Sequence, residues 1–233
     1  MRALTLDGRL SSVGKFVRRG AVLADIGTDH GYLPLFLLGE GVISFAHLAD
    51  INAGPLASAK RNASEQGMEH LCAFHLTDGA AALVGLGITD YSIAGMGGEL
   101  IVKIIDEAPH LSDPGVRLIL QPMSREHLVR EYLARVGFAI VGEDYSLSAG
   151  KYYLTIAAEY TGIRYEIDPP HAYFGELCDA LGLTEQSLGY LRAKARALRR
   201  AVEGLREGHR DFALEASLYD AASEILKRNG EEL

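Results

Sequence analysis

The chain has no tryptophan, four methionines and only two cysteines in 233 residues. Cys72 and Cys178 stand far apart and show no metal-ligand spacing, so neither a disulfide framework nor a zinc site organises this fold. No metal is expected, and a reducing compartment fits. Long apolar runs are also missing: nothing approaches the roughly 20 residues that a membrane span needs. The opening MRALTLDGRLSSVGKFVRRG lacks the apolar core and cleavage site of a signal peptide. A cytoplasmic protein with no membrane partner is expected. The chain has no positive net charge either, and its balance of −8 argues against indiscriminate binding to nucleic acid.

That deficit is unevenly spread. Between Gly189 and Arg210 lie Arg192, Lys194, Arg196, Arg199, Arg200, Arg206 and Arg210, against only Glu203 and Glu207. An acidic body with one basic stretch reads either as a grip for phosphates or as a solvated helix face. Lys15, Arg18 and Arg19 offer a second positive patch.

With 48% hydrophobic residues the chain can bury one full core and carry a smaller appendage. Five short, nearly continuous apolar runs, at 21–27, 45–51, 72–78, 91–97 and 117–123, read as strands buried on both faces of a parallel sheet. Apolar spacings of three and four in PLASAKRNASEQG, ELIVKIIDEAP and REHLVREYLARVG predict crossover helices between or after them. Two further runs, 138–146 and 151–160, are joined by a segment too short for a helix and must pair antiparallel. The fold class is therefore α/β, a doubly wound Rossmann-like sheet. Its closing hairpin matches class I methyltransferases by fold analogy. After the punctuating DPP at 168–170 the strand pattern stops, and two helical stretches within 184–229 form a coiled-coil-like hairpin. The expected division is 1–165 for the sheet domain and 166–233 for the helical one.

The first strand runs into LADIGTDHGYLP (23–34). A dinucleotide site would show G-x-G-x-x-G here, but Gly27 is followed by Thr28, Asp29, His30 and only then Gly31. The glycine that admits a pyrophosphate is absent, and Asp29 would repel one. A ligand with an ammonium and a sulfonium, such as S-adenosyl-L-methionine, tolerates acids at that turn. Asp50, ending the second strand, is placed to accept ribose hydroxyls, or else caps a helix. Asp78 and Gly79 end the third strand, where they meet an adenine or simply turn the chain. Carboxylates thus stand at three successive strand ends. Gly95, Gly97 and Gly98 end the fourth, either letting backbone approach a reacting centre or making a tight turn.

Taken together, DIGTDHGYLP, AGMGGELI (94–101), LILQPM (118–123) and GKYY (150–153) resemble the bacterial TrmK family in order, from about Leu6 to Tyr160. The resemblance implies methylation of adenine 22 at N1 in the D-arm region of tRNA, with S-adenosyl-L-methionine as cofactor. Met123 departs from the family, where Asn is expected after Gln-Pro. The Asn/Asp-Pro-Pro-aromatic signature of enzymes that methylate exocyclic amines is missing, which suits N1, whose in-plane lone pair needs no strong base. Asp29 is then the candidate for orienting the adenine and stabilising the cationic ring, and His30 either contacts substrate or anchors the loop. Asp25, Gly27, Gly31, Asp50, Asp78, Gly79, Gly95 and Gly97 are assigned to the cofactor. Gly98, Arg192, Arg196, Arg199 and Arg200 are assigned to the RNA, while Tyr32 and Pro34 start the next helix. Competing readings are a methyltransferase for a small molecule or protein, and a non-catalytic RNA-binding module. Oligomeric state stays open between a monomer and a weak dimer.

Overall fold

A computed structural model describes residues 4–231. Seven strands form one sheet: β1 (Ala21–Ile26), β2 (Ile43–Asp50), β3 (Cys72–Leu76), β4 (Asp90–Gly97), β5 (Arg117–Ser124), β6 (Phe138–Ser148) and β7 (Lys151–Tyr160). Their spatial order is β3-β2-β1-β4-β5-β7-β6. The first five are parallel, while β7 pairs antiparallel with both β5 and β6. The order reverses between β1 and β4, and open α/β sheets bind ligands beyond the carboxyl ends of strands at that point.

Side chains alternating along the inner strands feed two cores. Helices α1 (Gly8–Phe16), α2 (Tyr32–Gly39) and α3 (Ala53–Glu65) cover one face, packing Val13, Leu33, Leu35, Leu37, Leu56 and Ala59 on Leu23, Ala46 and Leu48. The other face, with Ala24, Ile26, Ile93 and Leu118, is covered by α4 (Gly98–Asp106) and α5 (Glu126–Val136), and then by the chain from Asp168 onward. That last part comprises α6 (Pro169–Phe174), α7 (Glu185–Glu207) and α8 (Ala213–Arg228). Thr184 caps α7 as its sequence suggests, its hydroxyl accepting from Ser187 N at 3.2 Å.

The helical hairpin is rooted in the sheet's own core, since Tyr190, Leu191, Leu198, Leu218 and Ile225 share a cluster with β4 and β5 residues. Beneath it, Arg130 Nε meets Glu143 Oε1 at 2.6 Å with both side chains fully buried. Arg130 Nη1 also donates to the carbonyls of Ala172 (2.9 Å) and Tyr173 (3.2 Å), tying α6 to α5 and β6. The far end of the hairpin differs: from Arg199 to Ser217 no residue is buried. No helix among the described residues is long and apolar enough to cross a membrane.

Candidate active site

Beyond the carboxyl ends of β1, β2 and β4 lie two adjoining cavities that share Gly27, Ala94 and Gly95 as floor. The larger, about 510 Å³, is lined among others by Asp7, Arg9, Asp25, Asp29 and Tyr32. The smaller, about 280 Å³, holds Asp50, Ile51, Asn52, Asp78, Gly79 and Met96. Both floor glycines adopt left-handed backbone, φ +74° at Gly27 and +78° at Gly95. A Cβ on Gly27 would lie 2.2 Å from Met96 Cε, so the residue must be glycine while Met96 rests there.

Asp25 is buried and accepts a 2.5 Å hydrogen bond from the Ser92 hydroxyl. Burial pushes its carboxyl above the ordinary aspartate value, opposed by the hydroxyls of Ser92 and Thr28 and by the charge of Arg9. Asp29 is the opposite case, with its side chain 81% exposed and its Oδ1 3.1 Å from His30 Nε2. His30 takes φ +60°, a conformation that costs a non-glycine residue about 1–3 kcal/mol. The surroundings hold it there: its carbonyl accepts from Asn62 Nδ2 at 2.9 Å and its ring stacks on Tyr32, centroids 5.5 Å apart. Asp50 Oδ1 accepts from Asn52 N at 2.7 Å, which fixes the carboxylate at the start of α3. Asp78 is exposed, 4.0 Å from Lys103 Nζ.

The other glycines assigned from sequence line neither cavity. Gly31 faces Leu48 and Ala59, where a Cβ would lie 2.9 Å from Leu48 Cδ2. Gly98 packs the start of α4 against the loop after β5, and a Cβ there would be 2.4 Å from the Arg125 carbonyl oxygen. Gly97 caps that helix. Gly31 and Gly98 are close-packed, whereas a Cβ on Gly97 would make only ordinary contact, 3.5 Å from Ser124 Oγ.

The basic residues divide as well. Arg192 is engaged by Glu185 and, at 2.8 Å, by Glu231, and Lys194 turns inward to Glu126. Arg196, Arg199 and Arg200 are exposed, with Glu203 3.9 Å from Arg199. In the second patch Arg19 is exposed, while the other two cations are paired within the protein. Arg18 grips the buried Asp90 at 2.6 Å and the carbonyls of Thr89 and Gly115, while Lys15 pairs with Asp144 at 2.8 Å.

Sequence reasoning passed over Gln121, Ser92 and Arg9. Gln121 is 0% exposed, and its Oε1 accepts from Gly95 N at 3.0 Å and from Arg9 Nη1 at 3.1 Å. Its Nε2 lies 3.5 Å from the Met123 sulfur, so the residue standing in place of the expected Asn serves as a weak acceptor for that amide. A glutamine within RLILQPM and a serine within DYSIAG were the available signals, each a polar residue in an apolar strand.

The lining shows which ligand fits. The smaller cavity presents two carboxylates and no Lys or Arg, and the larger presents three carboxylates to one arginine. A pyrophosphate would be repelled. A nucleoside with a cationic tail matches, its diol facing a carboxylate and its ammonium another. This sheet order with this edge defines an S-adenosyl-L-methionine-dependent methyltransferase domain of class I. A family model described as a methyltransferase domain matches residues 6–156. The tRNA (adenine(22)-N(1))-methyltransferase of Bacillus subtilis is 35% identical over 159 residues, 68% of this chain and 67% of that one. The crystal structure of Bacillus subtilis TrmK superposes with TM-score 0.81 at 26% identity, covering 95% of this chain and 99% of that one. A candidate tRNA (m1A22) methyltransferase from Streptococcus pneumoniae, solved with S-adenosyl-L-methionine, gives 0.83 at 31% identity, covering 95% and 100%. The chain belongs to the TrmK family of tRNA (adenine-22-N1)-methyltransferases.

Proposed function

We propose that this protein methylates N1 of adenine 22 in tRNA with S-adenosyl-L-methionine, acting in the cytoplasm. The observation that carries the reading is the family relationship together with a carboxylate-lined groove that reaches Gly95 at the end of β4. In this reading residues 1–165 perform the chemistry and 166–233 hold the RNA. The adenosine end of the cofactor takes the smaller cavity, with Asp50 at the ribose hydroxyls and Asp78 and Gly79 beside the adenine. The amino-acid end takes the larger one, beside Asp25. Gly27 and Gly95 keep the junction open.

When bound, the cofactor supplies an electrophilic methyl group: the N1–C bond forms as the C–S bond breaks, and the positive charge passes from sulfur to the adenine ring. The protein's task is alignment, which in favourable intramolecular systems is worth roughly 7–11 kcal/mol. Asp29, at the mouth of the larger cavity, accepts from the adenine N6 and places a negative charge beside the ring as it becomes cationic. Its solvent-exposed carboxylate gains force when docked RNA displaces water. His30 braces Asp29 from the side. The target base must leave its stack to arrive there, and Arg196, Arg199 and Arg200 hold phosphates without reading sequence.

Incubating the protein with tRNA and methyl-labelled S-adenosyl-L-methionine, then digesting to nucleosides, tests the reading. Label in 1-methyladenosine is expected. Label in N6-methyladenosine, or on a protein or small molecule in preference to tRNA, would replace it.

A further inference from the structure

Met123 stands where the resemblance to TrmK calls for Asn, and the proposed function leaves it without a task. It lies near the end of β5 between Pro122 and Ser124, which pair with Met96 and Gly97 of β4, so it sits beside the strand end where methyl transfer is placed. Met123 is 49% exposed. A lone exposed methionine is ordinary on a protein surface, but this one is tethered. Gln121 is fully buried, and its Nε2 donates to the Pro122 carbonyl at 3.3 Å and to Met123 Sδ at 3.5 Å. The Oε1 of the same amide accepts from Gly95 N at 3.0 Å. One buried amide therefore holds both the floor glycine and the sulfur, and sets where the thioether stands relative to the floor.

The charged side chains next to it on the same rim are engaged with each other, Arg125 with Glu99. Met123 itself has no charge and no hydrogen-bond donor, so it can neither hold a phosphate nor read the edge of a base as an Asn would. What it offers is a polarisable apolar surface, which suits the face of an aromatic ring. A base taken out of its stack loses such surfaces, and enzymes that act on flipped bases replace them with aromatic or apolar side chains. In the proposed reading Asp29 meets the edge of the target adenine and its face is left without a partner. We infer that Met123 packs against the face of the unstacked target adenine and holds it beside Gly95, with Gln121 as the positioning residue that fixes the sulfur. The inference rests on the methyltransferase reading above. It makes recognition at this rim a matter of ring shape and apolar contact, where an Asn would make it one of hydrogen bonds.

The test is a double-mutant cycle between protein and RNA. Two synthetic tRNAs, one with adenine at position 22 and one abasic there, are bound in the presence of S-adenosylhomocysteine. The unaltered protein should hold the adenine form more tightly. Met123→Ala should weaken binding of that form by about 2- to 10-fold, the range for a sulfur–aromatic contact, and leave the abasic form as it was. Met123→Leu, still apolar, should keep most of the preference, and Met123→Gln, of similar length but polar, should lose as much as the alanine variant. Affinity for S-adenosylhomocysteine and melting temperature should stay unchanged in all three. An undiminished preference in Met123→Ala overturns the assignment. Equal weakening of both tRNAs also overturns it, and moves Met123 to the RNA backbone or to a structural role. Absence of methyl transfer to adenine 22 by the unaltered protein would instead sink the methyltransferase reading itself.

Discussion

Two aspartates four residues apart sit in opposite environments, and their tasks follow from that. Asp25 is buried, so its acid form is favoured and it titrates above the ordinary aspartate value. An ammonium binds its ionised form. In the proposed role of Asp25, affinity for S-adenosylhomocysteine should be full above that raised value and fall as pH drops through it. The sign for stability is reversed: with its folded pKa raised, the contribution of Asp25 is fully present below the unfolded value and lost as pH rises through the folded one. Asp25→Asn should thus raise the melting temperature of the ligand-free protein at neutral pH, weaken S-adenosylhomocysteine binding, and flatten the acid limb of the affinity profile. A mutant with unaltered affinity and an unaltered limb would remove Asp25 from the cofactor. Exposed Asp29 has little to offer before substrate arrives. Asp29→Asn keeps an acceptor for N6 and deletes the charge, so single-turnover methyl transfer should slow by about 10- to 1,000-fold, roughly 1.4–4 kcal/mol, with ligand affinities little changed. Loss of cofactor affinity in step with rate would make Asp29 a loop brace.

The elements separate what the sequence displays from what it conceals. Parallel strands buried on both faces need unbroken apolar runs, so β1 to β5 were visible to within a few residues, and the closing β6–β7 hairpin followed from a linker with no room for a helix. Helix α1 was not visible. GRLSSVGKF is rich in poor helix formers, and its place is set by tertiary contacts: Ser12 Oγ bonds Thr155 Oγ1 at 2.9 Å, and Gly8 lets it meet strand β6, where a Cβ would lie 2.3 Å from the Leu147 carbonyl oxygen. With α1 hidden, Arg9 was hidden too. Charge counting along α7 does not separate paired arginines from exposed ones, because pairing is a property of neighbours in space. Arg192 is paired with Glu185 and Glu231, whereas Arg196, Arg199 and Arg200, the residues proposed to hold phosphates, are exposed. Replacing those three with Gln should lower the slope of log affinity for tRNA against log salt by roughly 2–3, as expected for three lost phosphate contacts. S-adenosylhomocysteine binding should stay as it was. An identical slope would place them on a solvated face.

At the scale of the whole molecule, an acidic body binds a polyanion by keeping its charges apart. The carboxylates gather at the sheet's edge, and the exposed arginines ride on a hairpin whose root is locked by core packing and by the Tyr190 hydroxyl, which donates to Glu126 at 2.7 Å. Those buried side chains make the hairpin's base part of the body's own core. The carboxylate-lined edge and the arginine-bearing hairpin together are what a cofactor-dependent enzyme acting on a folded RNA requires. The most direct measurement of that claim uses two tRNA transcripts, identical except that one has adenine at position 22 and the other guanine. Each is incubated with the protein and S-adenosyl-L-methionine and read by reverse transcription, which a methyl on the base-pairing N1 arrests. The account predicts methyl transfer and an arrest at position 22 in the adenine transcript, and neither in the guanine one. Equal transfer to both transcripts, or an arrest elsewhere, would contradict it.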